Sequence, residues 1–202
     1  MRALGYGAAR TFMRAMRWEF ENAPPDLPRY VLIGAPHTST LDFPFLMAAL
    51  GQFDLPLEWM GKDSLFRPPF GGLMRRLGGI SVDRAHRHNA VTQVVELFRT
   101  RQRLVLAIAP EGTRKRVEGW KTGFWHIANQ AGVPIVPAYL DAARRRGGWG
   151  PPIQPSGDMT ADFARLAECY AAITPIHPER FGPVQARPDR AGSPEKQGGA
   201  ER

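Results

Sequence analysis

A chain of 202 residues, 43% hydrophobic and 23% charged, has enough apolar material for one domain with a substantial core. That excludes a fully disordered chain, a collagen or a small disulfide scaffold, and the single cysteine, Cys169, rules out an intrachain disulfide and suits a reducing compartment. Lys and Arg number 27 against 19 Asp and Glu, and the formal charge of +8 attracts nucleic acid, an anionic membrane face or phosphorylated substrates without choosing among them.

In chain order, residues 1–22 read as a basic amphipathic helix. Leu4, Ala8, Phe12, Met13, Met16 and Phe20 fall near one side, and Arg10, Arg14 and Arg17 on another. Such a helix can lie on anionic lipid or pack on its own domain with its arginines in water. The Pro-rich piece Ala23–Pro28 ends it, because proline cannot continue the hydrogen-bond ladder. Tyr30–Gly34 then reads as a short buried strand. Asp42 can cap a helix with Phe43, Leu46, Met47 and Leu50 inward. Leu57–Met60 is a strand candidate, followed by a helical segment around Gly72–Leu77 and a short strand at Ile80–Val82. Asn89–Arg101 is a helix with Val91, Val94, Val95 and Phe98 inward, and Leu104–Ala109 a continuous apolar strand. Lys121–Ala131 is a helix with Phe124, Ile127, Ala128 and Ala131 inward. Val133–Leu140 is a strand whose Pro134 and Pro137 suggest an edge or irregular position. Arg144-Arg145-Arg146 reads as solvated loop. Phe163, Leu166, Ala167 and Tyr170 repeat like the inward face of a helix, which makes Cys169 beside them a structural thiol.

Strands alternating with helices predict a single α/β layered domain, a mostly parallel central sheet flanked by helices, with the amphipathic helix added at the N-terminus. The expected organisation is an N-terminal helix over 1–22, the main domain over 23–181, and a disordered tail over 182–202 that is rich in Pro, Gly, Arg, Glu and Gln. No stretch reaches the roughly 18 consecutive apolar residues a spanning helix needs. Arg10, Arg14 and Arg17 also interrupt the place where a signal peptide's apolar core would run. The expected location is cytoplasmic, with peripheral contact at the inner face of the membrane left open.

Four segments fall at strand ends, where α/β folds place ligand sites. The first is Pro36-His37-Thr38-Ser39-Thr40-Leu41-Asp42. A histidine can act as a base near neutral pH, and a carboxylate can fix its tautomer. Five positions apart on a regular helix they would sit roughly 140° from each other. They can meet only if His37 belongs to the loop and Asp42 to the first turn of the helix; the bland alternatives are a surface histidine and a capping aspartate. The second segment is Gly78-Gly79-Ile80-Ser81-Val82-Asp83-Arg84, where Arg84 can fork onto a phosphate or simply pair with Asp83. The third, Ala109-Pro110-Glu111-Gly112-Thr113-Arg114-Lys115-Arg116, follows the strongest apolar strand. It resembles an anion-binding loop without a Walker pattern, or else is a charged exposed turn. The fourth, Val133-Pro134-Ile135-Val136-Pro137, says little alone. No metal is expected, since His86 and His88 form no convincing ligand set and His126 falls on the polar side of its helix. No nucleic-acid-binding motif is recognisable.

The order of these four blocks resembles the glycerolipid acyltransferase family: His-x4-Asp, then Gly-x-x-x-Asp-Arg, then Pro-Glu-Gly-Thr-Arg, then Val-Pro-x-x-Pro. The matching residues are His37/Asp42, Gly79–Arg84, Pro110–Arg114 and Val133–Pro137, with further likeness in Gly61–Phe66, Pro69–Gly71 and Lys121–Gly123. The resemblance spans about residues 30 to 141. Pro36 stands where members often have Asn, Ser81-Val82 replaces a common Phe-Ile type pair, and the long hydrophobic N-terminal segment of many members is absent. The resemblance implies an O-acyltransferase with His37 as general base, supported by Asp42, and no resident cofactor. The donor would be acyl-CoA or acyl carrier protein, and the acceptor a lysophospholipid or glycerol-phosphate hydroxyl. It implies that Arg84, Glu111, Gly112, Thr113 and Arg114 bind that acceptor and that Pro134 shapes the acyl-carrier site; an anionic membrane surface is the expected partner. Glu111, being anionic, suits a hydroxyl or an arginine better than a phosphate. Two rival functions remain: a thioesterase using the same base on water, and a non-catalytic basic membrane-binding protein.

Overall fold

The computed structural model describes residues 11–53, 55, 57–76, 78–82 and 87–187. Helix α1 is described over residues 11–16 and is followed by β1 (Glu19–Phe20) and β2 (Arg29–Gly34). Next come α2 (Asp42–Phe53), β3 (Leu57–Lys62), a 3-10 turn at Asp63–Phe66, α3 (Gly71–Arg76) and β4 (Gly79–Val82). The chain continues through α4 (Arg87–Thr100), β5 (Leu104–Ile108), α5 (Gly123–Ala131), β6 (Ile135–Asp141), β7 (Arg146–Trp149) and α6 (Met159–Tyr170).

The seven described strands form one sheet in the order β1-β7-β6-β2-β5-β3-β4. Every pairing is parallel except β6 with β7. The expected α/β layered domain with a mostly parallel sheet is what the chain forms. Side chains alternate across a strand, and both faces here are covered, so β2 and β5 read as unbroken apolar runs. Val31, Ile33, Leu104 and Leu106 face α4, α5 and α6, while Tyr30, Leu32 and Val105 face α2 through Ala49. Trp125 Nε1–H donates to Asp162 Oδ2 at 2.8 Å and ties α5 to α6. Phe163, Leu166 and Tyr170 are buried, and Cys169 beside them is half-buried, its thiol pushed up by desolvation.

Several expectations are corrected. The N-terminal helix does not reach residue 22. It closes at Arg17, whose φ of 55° is left-handed, with Trp18 N–H donating to Met13 O at 2.9 Å. Trp18 is buried against Phe45, and Phe20 enters β1. Leu4, Ala8 and Arg10 lie outside the described residues. Helix α2 buries Phe45 and Ala48 against Met13 and Trp18 and Ala49 against β2, while Leu46 and Met47 of the expected inward face are only half-buried and the side chains of Phe43 and Leu50 lie outside the described residues. Strand β6 is interior, between β2 and β7. Pro134 precedes it, and Pro137 turns its flank away from β2, where its carbonyl accepts from Gly150 N–H at 2.8 Å, so the β2 ladder loses no donor. The arginine run is not simply solvated: Arg144 Nε donates to Asp141 at 2.7 Å and its Nη1 to Glu21 at 2.6 Å, and Arg146 belongs to β7 and pairs with Glu19. The expected tail starts too early, because Trp120 bridges Ala186 and Trp120 N–H donates to Gln185 O at 2.8 Å. Residues 188–202 lie outside the described residues.

Candidate active site

Strands β2 and β5 are parallel neighbours with Ile33 level with Ile108, so their following loops leave the same end of the sheet side by side. This adjacency positions the site. His37 follows β2 in the loop, and Asp42 is the first residue of α2. Their side chains meet, His37 Nδ1 lying 2.9 Å from Asp42 Oδ2, with side-chain exposures of 25% and 14%. The same carboxylate oxygen accepts from Ser39 N–H at 3.1 Å, which holds Asp42 to the loop as a helix cap would. With Nδ1 committed to Asp42, Nε2 is the nitrogen left to receive a proton.

Glu111 sits three residues beyond β5 and is 3% exposed. Its Oε2 accepts the His37 backbone N–H at 2.8 Å. Its Oε1 is buried with no partner among the described residues. Desolvation pushes this carboxyl up to about 7, against the opposing pull of the His37 N–H and imidazole, with Asp42 adding to the rise. Among the described residues no ion pair joins Glu111 to an arginine; what its carboxylate holds is the histidine's backbone.

Gly112 follows with a φ of +68°, and a β-carbon there would meet Lys121 Nζ at 2.6 Å. The glycine thus serves two needs: a left-handed turn and passage for the lysine side chain. Thr113 is half-buried, its Oγ1 accepting from Lys115 N–H at 3.3 Å, while Arg114 is exposed. Arg84 lies outside the described residues, although β4 runs parallel to β3 and ends at Val82. Pro134 is not brought to the site. It stands before β6, its carbonyl accepting from Val31 N–H at 3.0 Å, at the sheet end opposite His37. A cavity of about 240 Å³ lined by Leu27, Tyr30, Phe53, Leu55 and Arg103 opens at that far end as well. Among the described residues no His, Cys, Asp or Glu cluster could hold a metal ion.

Sequence reasoning missed the residues that hold the histidine loop from behind. Thr38 is 1% exposed; its Oγ1 accepts from His177 N–H at 3.3 Å and its carbonyl from Arg180 Nη1 at 3.2 Å. Tyr170 Oη lies 3.2 Å from Ile33 O and 3.3 Å from Ala138 O, bridging β2 and β6 just below the loop. Burial raises its phenol well above the usual range. The inward period of α6 pointed to Tyr170 as core, and nothing local marked His177 or Arg180.

A layered α/β domain with a His–Asp pair beside a Glu-Gly-Thr-Arg loop is the arrangement the sequence motifs called for. The acyltransferase family model matches residues 17–141, well over half of the chain. The chain therefore belongs to the acyltransferase family. It is 42% identical over 98 residues to the 1-acyl-sn-glycerol-3-phosphate acyltransferase of Escherichia coli K12, a stretch covering 45% of this chain and 40% of that protein. It is 36% identical over 123 residues to the Salmonella typhimurium protein so named, covering 56% of this chain and 49% of that one. The Cocos nucifera protein of the same name is 37% identical over 109 residues, covering 52% and 35%. The chain thus spans at most about half the length of these relatives. His37, Asp42 and Glu111 fall inside the matched family region, whereas Tyr170, His177 and Arg180 fall beyond it.

Proposed function

We propose that this chain transfers a fatty acyl group from a thioester, acyl-CoA or acyl carrier protein, to the hydroxyl of a 1-acylglycerol-3-phosphate-type acceptor. The observation that carries the reading is the 2.9 Å contact between His37 Nδ1 and Asp42 Oδ2. His37 Nε2 removes the acceptor hydroxyl's proton as that oxygen bonds to the thioester carbon. The tetrahedral adduct then collapses with cleavage of the C–S bond, and the thiolate takes the proton back from the imidazolium. Asp42 fixes the tautomer and stabilises the imidazolium formed midway. A positioned base supplies about 10²- to 10⁴-fold, so positioning of the acceptor and stabilisation of the oxyanion must provide the rest. Arg114, Lys121 and Arg84 are the cations suited to the acceptor's phosphate, with Gly112 and Thr113 shaping the loop that presents them. Glu111 acts through the histidine backbone instead of touching the acceptor.

The test is wild type against His37→Ala with radiolabelled acyl-CoA or acyl carrier protein and a panel of lysophospholipids and glycerol phosphates. Acylated lipid made by wild type, falling at least about 10²-fold in the variant, is the expected result. His37-dependent release of free fatty acid without lipid product would replace transfer by thioester hydrolysis. Equal product from both proteins would remove His37 from the chemistry.

A further inference from the structure

We propose that the β3–β4 connection, from Arg67 to Arg76, is a docking site for an anionic lipid bilayer surface. The argument starts from what is left uncovered. Among the described residues three large apolar side chains are exposed: Met16 at 37%, Phe70 at 66% and Leu73 at 52%. Two of them lie in this one turn. Phe70 directly precedes α3 and Leu73 sits three positions on, the spacing that puts both on one side of a helical turn. Their backbones are held: Met74 N–H donates to Phe70 O at 3.0 Å and Gly71 N–H to Arg67 O at 2.9 Å.

The base beneath them is packed. Phe66 is 3% exposed, lies 5.8 Å from the Trp59 ring, and its ring leaves no room for a β-carbon at Gly79. A β-carbon at Gly71 would meet the Phe66 carbonyl oxygen at 1.9 Å, so only glycine lets the chain double back this tightly. The turn is thus a firm platform that presents Phe70 outward, at the edge of the sheet beside β4.

Charge chooses the occupant. Arg67, Arg75 and Arg76 are exposed around the two apolar side chains, and no Asp or Glu occurs from Ser64 to Val82. Apolar tips ringed by arginines, with no acid among them, match the interface of an anionic bilayer, where the rings enter the acyl boundary and the guanidinium groups stay at the headgroups. Among the described residues no helix is long and apolar enough to cross a membrane, so a surface contact of this kind gives a route to a lipid acceptor.

Co-sedimentation of the full chain with phosphatidylcholine vesicles, with and without phosphatidylglycerol, tests this without reference to catalysis. Wild type should partition to the phosphatidylglycerol vesicles, and added salt should weaken it. Phe70→Ser with Leu73→Ser should lower partitioning by about tenfold or more with thermal unfolding unchanged. Arg75→Gln with Arg76→Gln should lower it on the order of fivefold per charge and flatten the salt dependence. Phe70→Trp should keep or raise it, which guards against a loss caused by misfolding. Undiminished partitioning of the serine variant would overturn the proposal, as would absence of wild-type binding. Concentration-dependent dimers abolished by the serine variant, without vesicle binding, would instead assign the patch to a second copy of this chain. Transfer to a monomerically dissolved short-chain acceptor should be the same in all variants. Failure of that assay would count against the transferase reading and leave the vesicle result standing.

Discussion

Two loops leave the same end of the sheet from neighbouring strands, and they are built in opposite ways. The one after β2 is tied down from several sides: Thr38 and Ser39 are buried, Asp42 accepts from Ser39 N–H and holds His37, and His177 and Arg180 hold Thr38. The one after β5 begins as deeply, with Pro110 and Glu111 buried, and then opens so that Gly112 and Arg114 to Arg116 face solvent. A base must meet its proton within a few tenths of an ångström, and that precision comes from over-determined backbone. A phosphate is gripped by long cationic side chains that adapt, which favours exposure. Glu111 is where the two designs join, because the last buried residue before one loop opens holds the histidine of the other.

Breaking the closed loop's chemistry should have the largest effect. Asp42→Asn keeps the size of the side chain and removes the charge that holds the imidazole. We expect kcat to fall about 10²- to 10⁴-fold, with KM for the acceptor changed little. Circular dichroism should be unaltered. A loss smaller than about fivefold would mean that Asp42 only caps α2.

The contrast between the loops sharpens with a pair of arginines. Arg180→Met removes one charge-assisted hydrogen bond from the Thr38 carbonyl and should lower kcat about tenfold while acceptor KM stays within a factor of about three. Arg114→Gln should do the reverse, raising KM for a phosphate-bearing acceptor roughly ten- to hundredfold with kcat nearly kept. Steady-state kinetics on both variants decide the matter. If Arg180→Met raises KM and spares kcat, the loop is not positioned from behind in the way its hydrogen bonds suggest.

The parts that could be read from the sequence are those written locally. His37 and Asp42 straddle a change from loop to helical pattern, so their meeting could be stated as a condition, and β2 and β5 announced themselves as apolar runs between loop signals. What could not be read is long-range. Thr38 meets Arg180 across 142 positions and Ile33 meets Tyr170 across 137, and no local pattern encodes either pairing. Helix propensity could not show that α1 ends at Arg17, because the buried Trp18 and the short pairing of Glu19 with Arg146 override a plausible helical period. Pro134 was assigned by its neighbours in sequence, and parallel register carries it to the other end of the sheet from His37. Glu111 was named by motif, but only the fold reveals that its carboxylate faces a backbone N–H.

The smallest expected effect concerns that carboxylate, and its sign can be worked out. Burial lifts the Glu111 carboxyl from 4.5 to about 7 in the folded chain, in the company of His37, Asp42 and Tyr170. The fold therefore favours the protonated acid. Its contribution to stability is complete below about pH 4.5 and is lost as pH rises through about 7, a change on the order of 3 kcal/mol across that window. Glu111→Gln keeps an oxygen that can accept the His37 N–H and cannot ionise. Urea unfolding at pH 5 and pH 8 should show wild type losing that increment relative to the variant. Activity should stay within a fewfold, since the loop keeps its bond. Parallel pH profiles of stability for the two proteins would show that Glu111 is ionised throughout, and its unpartnered Oε1 would then require a cation to face it.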